Sequence, residues 1–129
     1  YYEALKAKKY ASFIDKGTMM DMMYMPDAIK AIHDLMEANP DKLVHRNAFN
    51  VTAMSFDPEI LAGEIRKQIP EFELSYDVDP VKQAIANSWA NSLDDSCARE
   101  EWNWKPDYTM ESMTKDMLEK LSEKLGIKF

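Results

Sequence analysis

The chain has 129 residues, 46% of them apolar and 30% charged, the size and balance of one soluble globular segment spanning residues 1–129. Its net charge of −7, with the basic residues scattered, excludes a nucleic-acid backbone as partner. No apolar run approaches the ~20 residues of a membrane span. The single Cys97 excludes an internal disulfide framework and fits a reducing, cytoplasmic setting. The first residue is Tyr1 rather than Met, so a piece of a longer chain is expected.

Tyr1 to Lys9 reads as the end of a helix, with Tyr2 and Leu5 on one face and Lys6, Lys8 and Lys9 suited to its negative end. Tyr10 to Ile14 is a short strand candidate, closed by the turn residues Asp15-Lys16-Gly17. Half of the ten methionines then fall within Met19–Met25. Thioethers bind Cu(I), but neither His nor Cys lies nearby. The run is read instead as a strand over 18–25 buried on both faces, with methionine filling irregular gaps. Pro26 and Asp27 start a helix whose Ile29, Ile32, Leu35 and Met36 form the expected inner stripe, ended by Asn39-Pro40. His33 lies off that stripe and is read as solvated.

Arg46 to Val51 is read as a strand. His45 precedes it, and two histidines so far apart in sequence give no zinc spacing, so no metal is expected. Ser55 or Asp57 caps the next helix, with Pro58 in its first turn and Ile60, Leu61, Ile65 and Ile69 as its buried stripe. Residues 71 to 78 alternate cleanly, Phe72, Leu74, Tyr76 and Val78 facing one way: a half-exposed strand.

Ala84 to Glu111 holds all three tryptophans and the only cysteine. It is read as an extended segment delivering Trp89, then a short helix capped by Asp94. Asn103 can end that helix in the left-handed conformation, and Lys105-Pro106 prevents a restart. Trp102 and Trp104 flank this stop and are expected to pin the last two helices together. Thr109 caps the closing helix, whose inner stripe is Met110, Met113, Met117 and Leu121, with Gly126 past its end.

The pattern Asp94-x-Ser96-x-Ala98-Arg99, then Trp102-x-Trp104-x-Pro106, then Thr109-x-Glu111 at a new helix resembles the C-terminal end of extended short-chain dehydrogenases/reductases, the epimerase/dehydratase group. Gln83-Ala-Ile-Ala-Asn-Ser-Trp89 and Met22-Met-Tyr-Met-Pro-Asp-Ala28 are similar to its NAD-dependent L-threonine 3-dehydrogenase branch. The resemblance implies an α/β fold, the C-terminal substrate-side segment of an extended Rossmann-type architecture. About four helices and four short strands are expected, without the Gly-rich nucleotide-binding half. It places Arg46–Val51 as the last central strand of the nucleotide-binding sheet.

It further implies NAD as cofactor, held mainly by an N-terminal half, and hydride transfer from the threonine β-hydroxyl to give 2-amino-3-oxobutyrate. The partners implied are a small amino-acid substrate, that N-terminal half and, at full length, a homo-oligomer. Trp89 becomes the leading substrate-contact candidate, an apolar wall for the substrate's methyl end, or otherwise an ordinary core or lobe-interface tryptophan. Tyr24 and Met25 are further candidates for the pocket rim.

No catalytic, cofactor-binding or metal residue is assigned within these 129 residues. Gly17, Gly63 and Gly126 are isolated, so no phosphate loop can be drawn. Tyr2 and Lys6 spell the Tyr-x-x-x-Lys signature of the resembled enzymes, but the functional pair is expected upstream, and these two are read as surface residues. Nucleotide-sugar epimerases typically carry an Arg for the substrate diphosphate where this chain has Met20 or Asp21. An epimerase or dehydratase acting on such a sugar is therefore disfavoured, although Lys82 stands near another basic position of the group. A non-catalytic binding domain is the alternative from a different class.

Overall fold

The computed structural model describes residues 1–46 and 48–129. Helix α1 (Tyr2–Ala7) ends at Lys8, which takes the left-handed conformation (φ 55°) and turns the chain into strand β1 (Lys9–Ser12). Strand β2 (Met20–Met22), helix α2 (Met25–Met36) and a 3-10 turn (Pro40–Lys42) follow. Then come β3 (Met54–Phe56), α3 (Pro58–Gln68), β4 (Glu73–Tyr76), α4 (Pro80–Asn87), α5 (Ser96–Trp102) and α6 (Met110–Leu125). The class is α/β as expected, with six α-helices among the described residues rather than about four.

Proline and short polar side chains set the helix starts. Asp57 accepts from the Ile60 N–H at 2.8 Å ahead of Pro58, and Asp79 accepts from the Val81 and Lys82 N–H groups at 2.9 and 3.2 Å ahead of Pro80. Each carboxylate satisfies donors that the first turn leaves free, and proline has none to satisfy. Thr109 and Ser112 form a reciprocal capping box at α6. At α5 the capping bond comes from Asp94, whose Oδ1 accepts from the Ser96 N–H at 2.9 Å, and Asn103 (φ 59°) closes the helix in the left-handed region as expected.

Among the described residues two small sheets organise these elements. β1 and β4 pair in parallel, Tyr10 opposite Leu74, and β2 and β3 pair antiparallel, Asp21 opposite Ser55. One core lies between α1, α3 and α6, where Leu5, Ile65, Ile69, Phe72, Leu118 and Leu121 are buried together. A second gathers Ala31 of α2 with Ala98, Trp102 and Trp104, backed by Leu35, Phe49 and Val51.

Several expectations are corrected. The run to Trp89 is helical through Asn87, because Asp79-Pro80 is the same start grammar as Asp57-Pro58. No strand forms at residues 46 and 48–51, and Asn47 lies outside the described residues. Phe49 and Val51 pack instead against the tryptophan cluster, and Thr52 gives its carbonyl to Trp104 Nε1–H at 3.1 Å, so pairing moves on to Met54–Phe56. The methionine strand is three residues long and half-buried rather than enclosed on both faces, since β3 is its single strand neighbour among the described residues.

The inner face of α2 is also not the one periodicity selects. Ile29, Ile32 and Met36 are 61%, 65% and 78% exposed, while Asp27 and Ala31 are buried. Ala31 is small enough to let the indoles approach the helix. On α3 the buried positions are Ala62 and Ile65, with Ile60 exposed, and Val78 lies beyond the strand register and is exposed. Trp102 and Trp104, 5.8 Å apart at their ring centroids, pin α5 to α2 rather than to α6.

Candidate functional site

A groove of about 280 Å³ runs between α4 and β2, lined by Phe13, Ile14, Met20, Met22, Ile85 and Trp89, with Lys82 on its rim. The helix supplies Lys82, Ile85 and Ala86, and its last turn carries on into Trp89, whose N–H donates to the Ala86 carbonyl at 3.2 Å. Gln83 holds α4 in place. Its Oε1 accepts from the Asp15 N–H at 2.6 Å and its Nε2–H donates to Thr18 Oγ1 at 3.0 Å, tying the helix to the turn that leads into β2. Nothing in the sequence pattern marks Gln83 for this, because its partners lie more than sixty residues away.

The groove is apolar and open, and Trp89 itself is 55% exposed. A half-exposed indole beside thioethers and Phe13 can take up an alkyl group by loss of water from both surfaces. Lys82 Nζ lies 4.6 Å from the centroid of the Phe13 ring, a cation–π position, and 3.7 Å from Asp79 Oδ2. It is the one charged side chain of this lining. The groove thus has the means to bind and orient, and no acid–base pair among its described lining residues. A larger concavity of about 720 Å³ over β1 and β4 is lined by mixed residues such as Glu3, Arg66 and Ser75, with Arg66 committed to Glu59 at 3.0 Å. It gathers no convergent chemistry.

Tyr24 and Met25 stand at the start of α2 and do not line the Trp89 groove. The Tyr24 hydroxyl donates to Asp116 Oδ2 at 2.7 Å, and its ring meets Tyr108 edge-on at 4.8 Å, fastening α2 to α6. Burial and the adjoining Asp116 carboxylate raise the Tyr24 pKa. Lys120 and the Tyr24 hydroxyl together hold Asp116 below its ordinary value. Met25 is exposed. Tyr2 and Lys6 share an exposed face of α1, the ammonium 5.8 Å from the ring centroid, and Lys124 donates to the Tyr2 hydroxyl at 3.4 Å.

The fold also assembles a cluster that spacing hides. Glu101, on α5, accepts at Oε2 from the backbone N–H groups of Val44 and His45 at 2.7 and 2.9 Å, and its Oε1 meets His45 Nδ1. Burial opposes its ionisation, but the imidazole and the two N–H groups outweigh this and hold the carboxyl below its ordinary range. Cys97 lies one turn earlier on the same helix face.

No protein-family model matches the chain. Over 96% of its length it superposes on the X-ray structure of L-threonine dehydrogenase from Clostridium difficile, with 66% identity and a TM-score of 0.93. It has the sequence and fold of the C-terminal part of an extended short-chain dehydrogenase/reductase. L-threonine dehydrogenase from Phytophthora infestans matches over 96% of the chain, at 45% identity and a TM-score of 0.92. A Staphylococcus aureus relative named an uncharacterized epimerase/dehydratase is 55% identical over 128 residues, 99% of the segment. In each case the segment spans about two-fifths of the relative's length: 39%, 40% and 40%.

Proposed function

We propose that these 129 residues form the substrate-side part of an oxidoreductase that converts L-threonine to 2-amino-3-oxobutyrate with NAD. The observation that carries this reading is the 66% identity, over nearly the whole chain, to the Clostridium difficile enzyme. In that reading the nucleotide-binding half supplies the catalytic Tyr and Lys and most of the contacts to NAD, which accepts the hydride when bound. The groove beside α4 receives the amino acid. Trp89 walls its methyl end, and closure of the two halves would exclude water from the reacting carbon. Tyr24 and Met25, outside the lining of this groove, would reach the substrate from the start of α2 only when the two halves close, Tyr24 through its ring, since its hydroxyl is engaged by Asp116.

A nucleotide-sugar epimerase or dehydratase is the second reading, favoured by the name that the Staphylococcus relative carries. Its difficulty is chemical. The position expected to hold a diphosphate-binding Arg offers the thioether of Met20 and the carboxylate of Asp21, whose Oδ1 accepts from Thr52. A carboxylate repels a diphosphate.

Trp89→Phe in the full-length protein tests the first reading. The substitution keeps most of the apolar volume, so fold and NAD affinity are expected to persist while the threonine KM rises, kcat falls, or both. Unaltered threonine kinetics together with a lower Tm would make Trp89 a structural residue. Turnover of a nucleotide sugar with none of threonine would transfer the segment to the second reading.

A further inference from the structure

We infer that His45, Cys97 and Glu101 form a three-ligand site for a zinc-class divalent cation. Their candidate ligand atoms, the imidazole nitrogen, the thiol sulfur and a carboxylate oxygen, all lie within 4.8 Å of one another. In a tetrahedral zinc site with bonds of about 2.0–2.3 Å, neighbouring ligand atoms sit roughly 3.3–3.7 Å apart. Side-chain rotations of about an ångström open the His45–Glu101 contact and bring the three ligand atoms to that spacing.

Three features of the fold prepare the cluster. Cys97 and Glu101 are four residues apart on α5, so both project from one face of a rigid element. Glu101 is oriented by the backbone N–H groups of Val44 and His45 at Oε2, a supporting contact that leaves Oε1 facing the imidazole. The His45 ring rests edge-on against Phe49 at 6.3 Å, and Phe49 in turn against Trp102 at 5.9 Å, which gives the site a dry aromatic back. The opposite side is open: His45 is exposed and Cys97 half-buried, so an ion can enter and a water can take a fourth position.

The metal-free arrangement shows what the ion would replace. An N–H at His45 Nδ1 would donate to Glu101 Oε1, and Cys97 is a free cysteine. Binding releases the thiol proton to solvent and shifts the imidazole proton from Nδ1 to Nε2, leaving neutral imidazole, thiolate and carboxylate as ligands. Two negative charges then neutralise the cation. This is a borderline-soft N, S, O donor set suited to Zn²⁺ over Mg²⁺ or Ca²⁺. The inference is independent of the threonine reading, since none of the three residues lines the groove at Trp89.

Titration of the intact protein with Co²⁺ reports the ligands directly. The expected result is tetrahedral visible absorption and a near-ultraviolet thiolate-to-cobalt band at one equivalent, both removed by adding Zn²⁺. Cys97→Ser is expected to abolish the thiolate band, and His45→Gln to weaken binding by about tenfold or more. Zn²⁺ is expected to raise the Tm of the wild type but not of Cys97→Ser, whose metal-free Tm should match the wild type. No thiolate band, or equal Co²⁺ affinity in wild type and Cys97→Ser, would overturn the site. The cluster would then be only a hydrogen-bonded latch between α5 and the 44–46 segment.

Discussion

Asp27 shows how much one side chain can carry. It is 1% exposed, and its two carboxylate oxygens accept from the Asp107 and Tyr108 N–H groups at 2.8 and 3.2 Å, joining the start of α2 to the approach of α6. Asp27→Ala leaves two donors unpaired, and because bonds to a charged acceptor are the stronger class, a loss of about 2–4 kcal/mol is expected in urea unfolding. Asp27→Asn, which keeps one carbonyl acceptor, should lose about half of that. A change in Asp27→Ala below ~0.5 kcal/mol, the level of an ordinary surface site, would show that the loop does not depend on it. The sequence marks Asp27 only as a favourable charge at a helix start. Tyr2→Phe makes the opposite case: on an exposed face of α1, it should leave the threonine turnover proposed for the full-length protein within about twofold, as surface changes do.

At the scale of elements, α2 has its apolar residues on the wrong side for this structure. Met25, Ile29, Ile32 and Met36 form an exposed stripe on the helix, and the chain alone is expected to self-associate through it. Replacing Ile29 and Ile32 with Lys should move sedimentation toward the monomer while the helix persists. A wild-type chain that is already a monomer would remove the premise.

The link between α2 and α6 gives a pH dependence. Asp116 is held below its ordinary pKa, first by Lys120 and then by the Tyr24 hydroxyl, with burial opposing. A carboxyl whose folded pKa is depressed adds stability above its unfolded pKa and loses it as pH falls through the folded one. Tyr24→Phe removes one of those hydrogen bonds. The variant should lose stability at neutrality, with the deficit shrinking in acid below the carboxylate range. A deficit that does not vary with pH would assign Tyr24 to packing alone.

For the molecule as a whole, two cores and two short sheets hold the helices together among the described residues, with no phosphate-binding loop among them. Gly17, Gly63 and Gly126 sit singly, two of them with positive φ at a turn and a helix end. Titration of the 129-residue chain with NAD, followed by tryptophan fluorescence, is therefore expected to show no tight site; micromolar binding would contradict the proposal that NAD is held by another part of a longer chain.

What the amino-acid sequence determined by itself is what acts over a few residues. Asp57-Pro58, Thr109 and Asn103 set helix ends because a capping carboxylate, a hydroxyl or a left-handed backbone needs partners no more than about four positions away. The family resemblance was legible on the same terms, as short motifs around Trp89 and Trp104. Tertiary structure decided which faces are buried, because that depends on the neighbour. Ala31 is inside since two indoles need a close approach, and Ile29 is outside since nothing described packs on it. It also decided that Phe49 and Val51 serve the tryptophan cluster rather than a strand. It alone brought His45 to Cys97 and Glu101, and Gln83 to Asp15 and Thr18. No local pattern encodes these meetings, because each joins segments that are neighbours only after the helices pack.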